Sequence, residues 1–236
     1  MKLLQWSLVI LMQLGIFQSQ AQTTINDPNV ELRSTGAFNS IVVSSAIDLV
    51  VTQNSKVAVA VSASDPKYVA NITTEVKDNT LYIGYKGSGS WGPKYMRAYV
   101  SAPTLYRMAA SGACNIKTEG EFKGQAMEIS LSGSSDFKGA VQVTSLKLSA
   151  SGSSDIVISG TAVNLKVDVN GSSDLKGFEL VTDYGDISAS GASDVSITVN
   201  KELKVKASGA SDVFYKGSGV IKEISASGSS DIKKRE

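Results

Sequence analysis

Six aspartates stand at near-constant spacing in the second half of this chain: Asp136, Asp155, Asp174, Asp194, Asp212 and Asp231. Each closes a five-residue word, SGSSD, NGSSD or SGASD, and Asn115 closes an earlier variant, SGACN. Carboxylates beside glycine turns can do three kinds of chemistry. They can accept hydrogen bonds from nearby backbone N–H groups and serve only the chain itself, as Asx and ST turns do. They can offer hard oxygen ligands to Ca²⁺, as nonapeptide rolls with GGxGxD words do. Two of them, suitably separated, can act on a glycosidic bond as acid and as nucleophile or base.

The elements that position these side chains follow from the spacing. The glycines of the words are Gly112, Gly133, Gly152, Gly171, Gly191, Gly209 and Gly228, at intervals of 21, 19, 19, 20, 18 and 19 residues. Four residues before each stand Met108, Ile129, Leu148, Val167, Ile187, Val205 and Ile224, and two before stand Ala110, Leu131, Ala150, Val169, Ala189, Ala207 and Ala226. Four after stand Ile116, Phe137, Ile156, Leu175, Val195, Val213 and Ile232. Residues two apart on a strand share a face. A strand therefore runs into each glycine, the chain bends, and a second strand leaves. Leu146, Leu165 and Leu203 extend the inward face by two more residues. A period near 19 is too short for a βαβ unit of about 30 residues and predicts the stacked coils of a β-helix. Six intervals at roughly 4.8 Å give a stack about 29 Å tall.

Stacking places Asn115 and the six aspartates in one column, with neighbouring carboxylates about 5 Å apart. Such a pair repels by roughly 1 kcal/mol in water and by more near protein, so something must offset the repulsion. The favoured expectation is hydrogen bonding to corner amides, with the carboxylates open to water. Ca²⁺ is an alternative, but it takes 6–8 oxygens and one carboxylate per coil is sparse. A polysaccharide-acting lyase or hydrolase is another. The chain has no histidine, which excludes His-based acid–base and triad chemistry, and the regular repeat singles out no pair. No catalytic residue, cofactor or metal ligand is therefore assigned. The one acidic irregularity, DYGD at 183–186, reads as a turn. Cys114 takes the place that serine holds in every later word and reads as a small corner residue. Trp91, Tyr95 and Tyr99 are candidate sugar-stacking aromatics, with packing as the plainer reading. The basic tip KKR at 233–235 would discourage edge pairing of the last coil.

Residues 36–104 have a different grammar. Short Val- and Ile-rich segments at 38–43, 47–52, 56–62, 72–76, 81–85 and 97–100 predict irregular β-structure. KDN at 77–79 marks a hairpin turn, and GSGSWGP at 87–93 a loop. No 3.6-residue helical pattern follows residue 25. The repeat half occupies 105–236, and 22–35 reads as a linker.

Residues 1–21 carry the pattern of an export signal: Lys2, an apolar stretch at 3–17, and Ser19-Gln20-Ala21 before the expected cleavage. An uncleaved anchor is the alternative, and no later segment could span a bilayer. Without Lys2 the mature chain holds 22 basic and 22 acidic residues. That neutrality argues against nucleic acid as a partner. The single cysteine excludes an intrachain disulfide and lies far from any lipid-attachment position.

The SG[SA]SD words, the preceding stretch APTLYRMAASGACNI and the export signal together resemble the GIN-domain family of Bacteroidota, described as autotransporter adhesin head domains. The resemblance runs from about residue 36 to 231. It implies a β-helix and an adhesin-like role at the cell envelope: periplasmic, outer-membrane-associated or extracellular. Partners would be glycans or surface proteins, met through a solenoid face, and 236 residues leave no room for a translocator barrel as well. Open solenoid ends also make self-association an expectation, unless the N-terminal half caps one of them.

Overall fold

In the computed structural model, which describes residues 27–87 and 92–236, the glycine corners turn one long β-ribbon into a stack. The N-terminal half holds β1 (Glu31–Arg33), β2 (Ser40–Val43), β3 (Asp48–Gln53), β4 (Ala58–Ala63), a single helical turn α1 (Pro66–Val69), β5 (Ile72–Lys77), β6 (Thr80–Tyr85), β7 (Met96–Ala102) and β8 (Arg107–Ala110). The repeat half holds β9 (Asn115–Leu131), β10 (Asp136–Ala150), β11 (Asp155–Val169), β12 (Asp174–Ala189), β13 (Asp194–Ala207), β14 (Asp212–Lys216), β15 (Val220–Ala226) and β16 (Asp231–Lys234). Each strand from β9 to β13 travels from one corner to the next and pairs in parallel with the strands above and below.

The register matches the expected columns. Ile156 lies between Phe137 and Leu175, Leu146 lies beside Leu165, and Val169 between Ala150 and Ala189. These side chains form one continuous core, with Ile129, Leu148, Ile156, Val169, Ile187 and Val205 fully buried. The unequal intervals are absorbed away from the corners. Register shifts fall between Lys138 and Ala140, between Val157 and Gly160, and between Gly177 and Val181.

Two further coils extend the solenoid into the half read as irregular. β2 and β3 stack in parallel on β8 and β9, pairing Ile41 with Met108 and Leu49 with Ile116. β6 and β7 continue below them, pairing Ile83 with Val43 and Arg97 with Asp48. The corner between β2 and β3 is SSAID at 44–48, a repeat word without its glycine. Ser45 and Ala46 hold φ of +68° and +57° in its place, and Ile47 fills the buried serine position.

This end of the stack is closed by antiparallel strands: β4 on β7, β1 on β4 and β5 on β6. The hairpin at 77–79 forms as expected, with Asp78 and Asn79 at φ +50° and +57°, the double left-handed turn that short hairpins favour. α1 is capped by Asp65, whose carboxylate accepts the Lys67 N–H at 3.0 Å. DYGD at 183–186 is not a turn. It lies inside β12, where Gly185 sits between Leu165 and Leu203 in the inward column. A Cβ there would stand 3.0 Å from Val199 Cγ2 and 3.3 Å from Leu203 Cδ1. Branched side chains from the next coil fill the space of the missing leucine, so the strand continues unbroken.

Candidate functional site

The corner words are built around two ladders, one buried and one facing water. In the buried ladder, Ser135, Ser154, Ser173, Ser193 and Ser211 are all inaccessible. The Ser154 hydroxyl donates to the Ser151 carbonyl at 3.0 Å and accepts the Ser135 N–H at 3.2 Å. Ser135, Ser193, Ser211 and Ser230 make the same bond to the carbonyl three residues back, at 2.8–3.0 Å. Those five hydroxyls thus close their own turns, and the hydroxyls of Ser135, Ser154 and Ser173 take the amide of the coil before. Cys114 begins this ladder, its thiol donating to the Ser111 carbonyl at 3.4 Å. The thiol is buried, and burial pushes its pKa up.

The glycines are required twice over. Their φ values run from +74° to +89°, where a side chain is strained. From Gly133 onward, a Cβ would also stand 2.4–2.6 Å from the carbonyl oxygen of the glycine one coil before. That oxygen accepts the next corner amide at 2.7–2.8 Å, for example from Ser153 to Gly133.

The water-facing ladder is the aspartate column. Asp136 lies in register with Asn115 and Asp155, Asp155 with Asp174, and Asp212 with Asp194 and Asp231. Its repulsion is met mainly by backbone. The Asp155 N–H donates to Asp136 Oδ1 at 3.3 Å, Asp194 N–H to Asp174 Oδ1 at 3.3 Å, and Asp231 N–H to Asp212 Oδ1 at 3.2 Å. Lys176 stands 3.8 Å from Asp155 and 4.0 Å from Asp174, and Lys233 2.6 Å from Asp231. The compensation is incomplete at Asp194. Partial burial, then the charges of Asp174 and Asp212, push its carboxyl above the ordinary value, against a bond from the Asp212 amide. One member was missed in the sequence. Asp48 extends the column downward, accepting the Asn115 Nδ2–H at 2.7 Å. The signal was Asp48 following SSAI, a corner unrecognisable without its glycine. Among the described residues, no three Cys, Asp or Glu side chains converge as a metal-holding group.

Of the aromatic candidates, Tyr95 and Tyr99 carry contacts within the chain. Trp91 lies outside the described residues. The Tyr99 hydroxyl donates to Asp27 at 3.3 Å, and burial and the Asp27 charge raise its pKa. The Arg97 guanidinium covers the Tyr95 ring at 4.7 Å and reaches Asp27 at 4.0 Å. These contacts pin residue 27 to the capped end. Arg107 and Lys147 both approach Glu128, at 3.9 and 3.2 Å. Burial would raise the Glu128 pKa, but bonds from Lys147 and Ser130 and the charges of Lys147 and Arg107 outweigh it and hold the carboxyl below its ordinary value.

A concave feature borders the aspartate column through Lys176. A groove of about 810 Å³ runs across β9 to β13 on the flank where the register slips. One side is a row of in-register residues: Lys117, Lys138, Val157, Lys176 and Ser196. The other includes Glu121, Phe178 and Glu179. The extra residues of the longer coils bulge out there, while Gly139 contributes no side chain to the lining. The unequal intervals were its only trace in the sequence, and they mark a position rather than a chemistry.

Comparison with known proteins follows this geometry. A family model described as "Putative auto-transporter adhesin, head GIN domain" matches residues 37–219. Among solved structures, a "putative adhesin" from Bacteroides fragilis superposes with a TM-score of 0.81 at 22% identity, covering 87% of this chain and 96% of that one. A "Putative lipid binding protein" from Parabacteroides distasonis superposes at 0.70 with 21% identity, covering 89% and 98%. A "putative adhesin" from Parabacteroides merdae superposes at 0.68 with 17% identity, covering 88% and 95%. At these identities the likeness is one of fold. No curated protein matches the chain.

Proposed function

From the premise that this chain belongs to the GIN-domain family of auto-transporter adhesin heads, we propose that it is an exported, non-catalytic adhesin-like protein that binds glycan through its flank groove. The observation that carries this reading is the groove itself. The rows from Lys117 to Ser196 are four strand spacings apart, about 19 Å, the length of a short oligosaccharide. Val157 and Phe178 supply apolar surface for the faces of sugar rings, and lysine, glutamate and serine tips supply partners for their hydroxyl edges. Lys216 already lies over the Phe178 ring at 5.1 Å, which fixes the aromatic in the wall.

The aspartate column is assigned no ligand in this reading. One oxygen each of Asp136, Asp174 and Asp212 takes the amide of the next coil, and the column's register is a property of the stack. Export rests on the N-terminal signal pattern, which lies outside the described residues. Among those described, no helix is long and apolar enough to cross a membrane.

The test is a glycan array followed by calorimetry on the mature chain, with Val157→Glu and Phe178→Ala in the groove and Asp212→Asn at a corner that touches no groove residue. Groove variants are expected to weaken binding at least tenfold while the corner variant binds normally. Loss of binding in Asp212→Asn alone, undiminished binding in both groove variants, or no glycan bound at all would each overturn the assignment.

A further inference from the structure

The two ends of the solenoid differ. The N-terminal end is covered by the antiparallel strands β1, β4 and β5. The C-terminal end has no such cover among the described residues. β15 pairs only with β13, and β16 only with β14, so each leaves one backbone edge open. All seven residues of β15 are exposed. Ile221 and Ile224 lie in register with Leu203 and Val205, which are fully buried. They are core positions lacking the next coil, and Val220, Ile221 and Ile224 are 61%, 37% and 55% exposed. Repeat proteins need their terminal faces capped, and an open strand edge invites pairing.

We propose that this end is a homodimer interface, in which β15 of two copies pair antiparallel across a two-fold axis and the two cores join end to end. The occupant must offer a strand edge and apolar columns on the same cross-section, and the last coil of a second copy offers both. The capped end of another copy presents antiparallel strands instead, so a head-to-tail filament is disfavoured and a closed two-fold pair results. Charge selects the register. An axis passing between Lys222 and Glu223 sets Lys222 against the partner's Glu223 twice, and Ile221 against the partner's Ile224. Within the chain, Lys222 reaches Glu202 at 3.5 Å and Glu223 reaches Lys206 at 3.0 Å. Both are exposed pairs, and such pairs contribute little to stability, so charge reversal leaves the fold intact.

The experiment is sedimentation or light scattering of the mature chain from about 1 to 100 µM, with circular dichroism as the check on folding. A dimer is expected for the native sequence. Lys222→Glu and Glu223→Lys should each raise the dimer dissociation constant at least tenfold, because each sets like charges face to face. Mixing the two variants should restore a dimer, since every facing pair is then of opposite sign, and the doubly reversed chain should dimerise alone. A monomeric native chain would overturn the proposal, as when a following segment or a different protein covers this end. So would single variants that dimerise normally, or a mixture of folded variants that stays monomeric.

Discussion

Replacing Gly152 with alanine tests the physical basis of the corner directly. Two costs are expected. The first is conformational: at φ +82° a Cβ meets the following carbonyl, which costs about 1–2 kcal/mol. The second is packing between coils. The added Cβ would stand 2.4 Å from the Gly133 carbonyl oxygen and 3.2 Å from its nitrogen and carbon. Relief requires the coils to part, which stretches the 2.8 Å bond from the Ser153 amide to that oxygen. Overpacking of this kind costs about 1–3 kcal/mol, so the total is about 2–5 kcal/mol. Gly112 is the internal control. Its φ is +89°, but the nearest atom to its added Cβ is the Ser45 nitrogen at 3.7 Å, an ordinary contact. Gly112→Ala should therefore cost only the first term, about 1–2 kcal/mol. Urea denaturation followed by circular dichroism measures both, and hydrogen exchange at the Ser153 amide reports the strained bond. Equal destabilisation by the two variants would refute the inter-coil argument, because the backbone term alone would then explain both.

Two further outcomes follow from the ladders. Ser154→Ala strands the buried Ser135 amide and the Ser151 carbonyl, so it should cost about 1–3 kcal/mol, whereas Cys114→Ser keeps the bond to Ser111 and should change stability by less than about 1 kcal/mol; denaturation midpoints distinguish them. Asp194→Asn should stabilise the fold at neutral pH. The Asp194 pKa is raised on folding, so its ionised form opposes the native state above that raised value. The gain should shrink as pH falls through the carboxylate range and vanish below the ordinary 3.8; a gain independent of pH would contradict this assignment.

Much of the repeat half could be read from the chain itself, because its determinants are local. Each coil carries its own glycine, its own serine and apolar residues at fixed offsets, so the bend and the inward face are written in every word. Stacking then follows, since no single coil can bury its apolar face alone. That logic placed Asp136 through Asp231 in one column and put Cys114 in a serine's place. It failed at SSAID. There Ser45 and Ala46 adopt the left-handed conformation without a glycine, so the corner looks like ordinary strand. It also failed at DYGD, where the filling of the space at Gly185 comes from Val199 and Leu203 in another coil.

What only the tertiary structure decided are relations between coils. The offset of the carboxylate repulsion depends on which amide lies one strand spacing away. The groove exists because coils of unequal length, forced into register at their corners, must shed the excess on the flank that follows them. The difference between the two ends depends on strands that turn antiparallel at one and, among the described residues, have no counterpart at the other. A repeat specifies its own unit through short-range sterics and hydrophobic patterning, whereas surface shape and ends arise from how units of different length are held together.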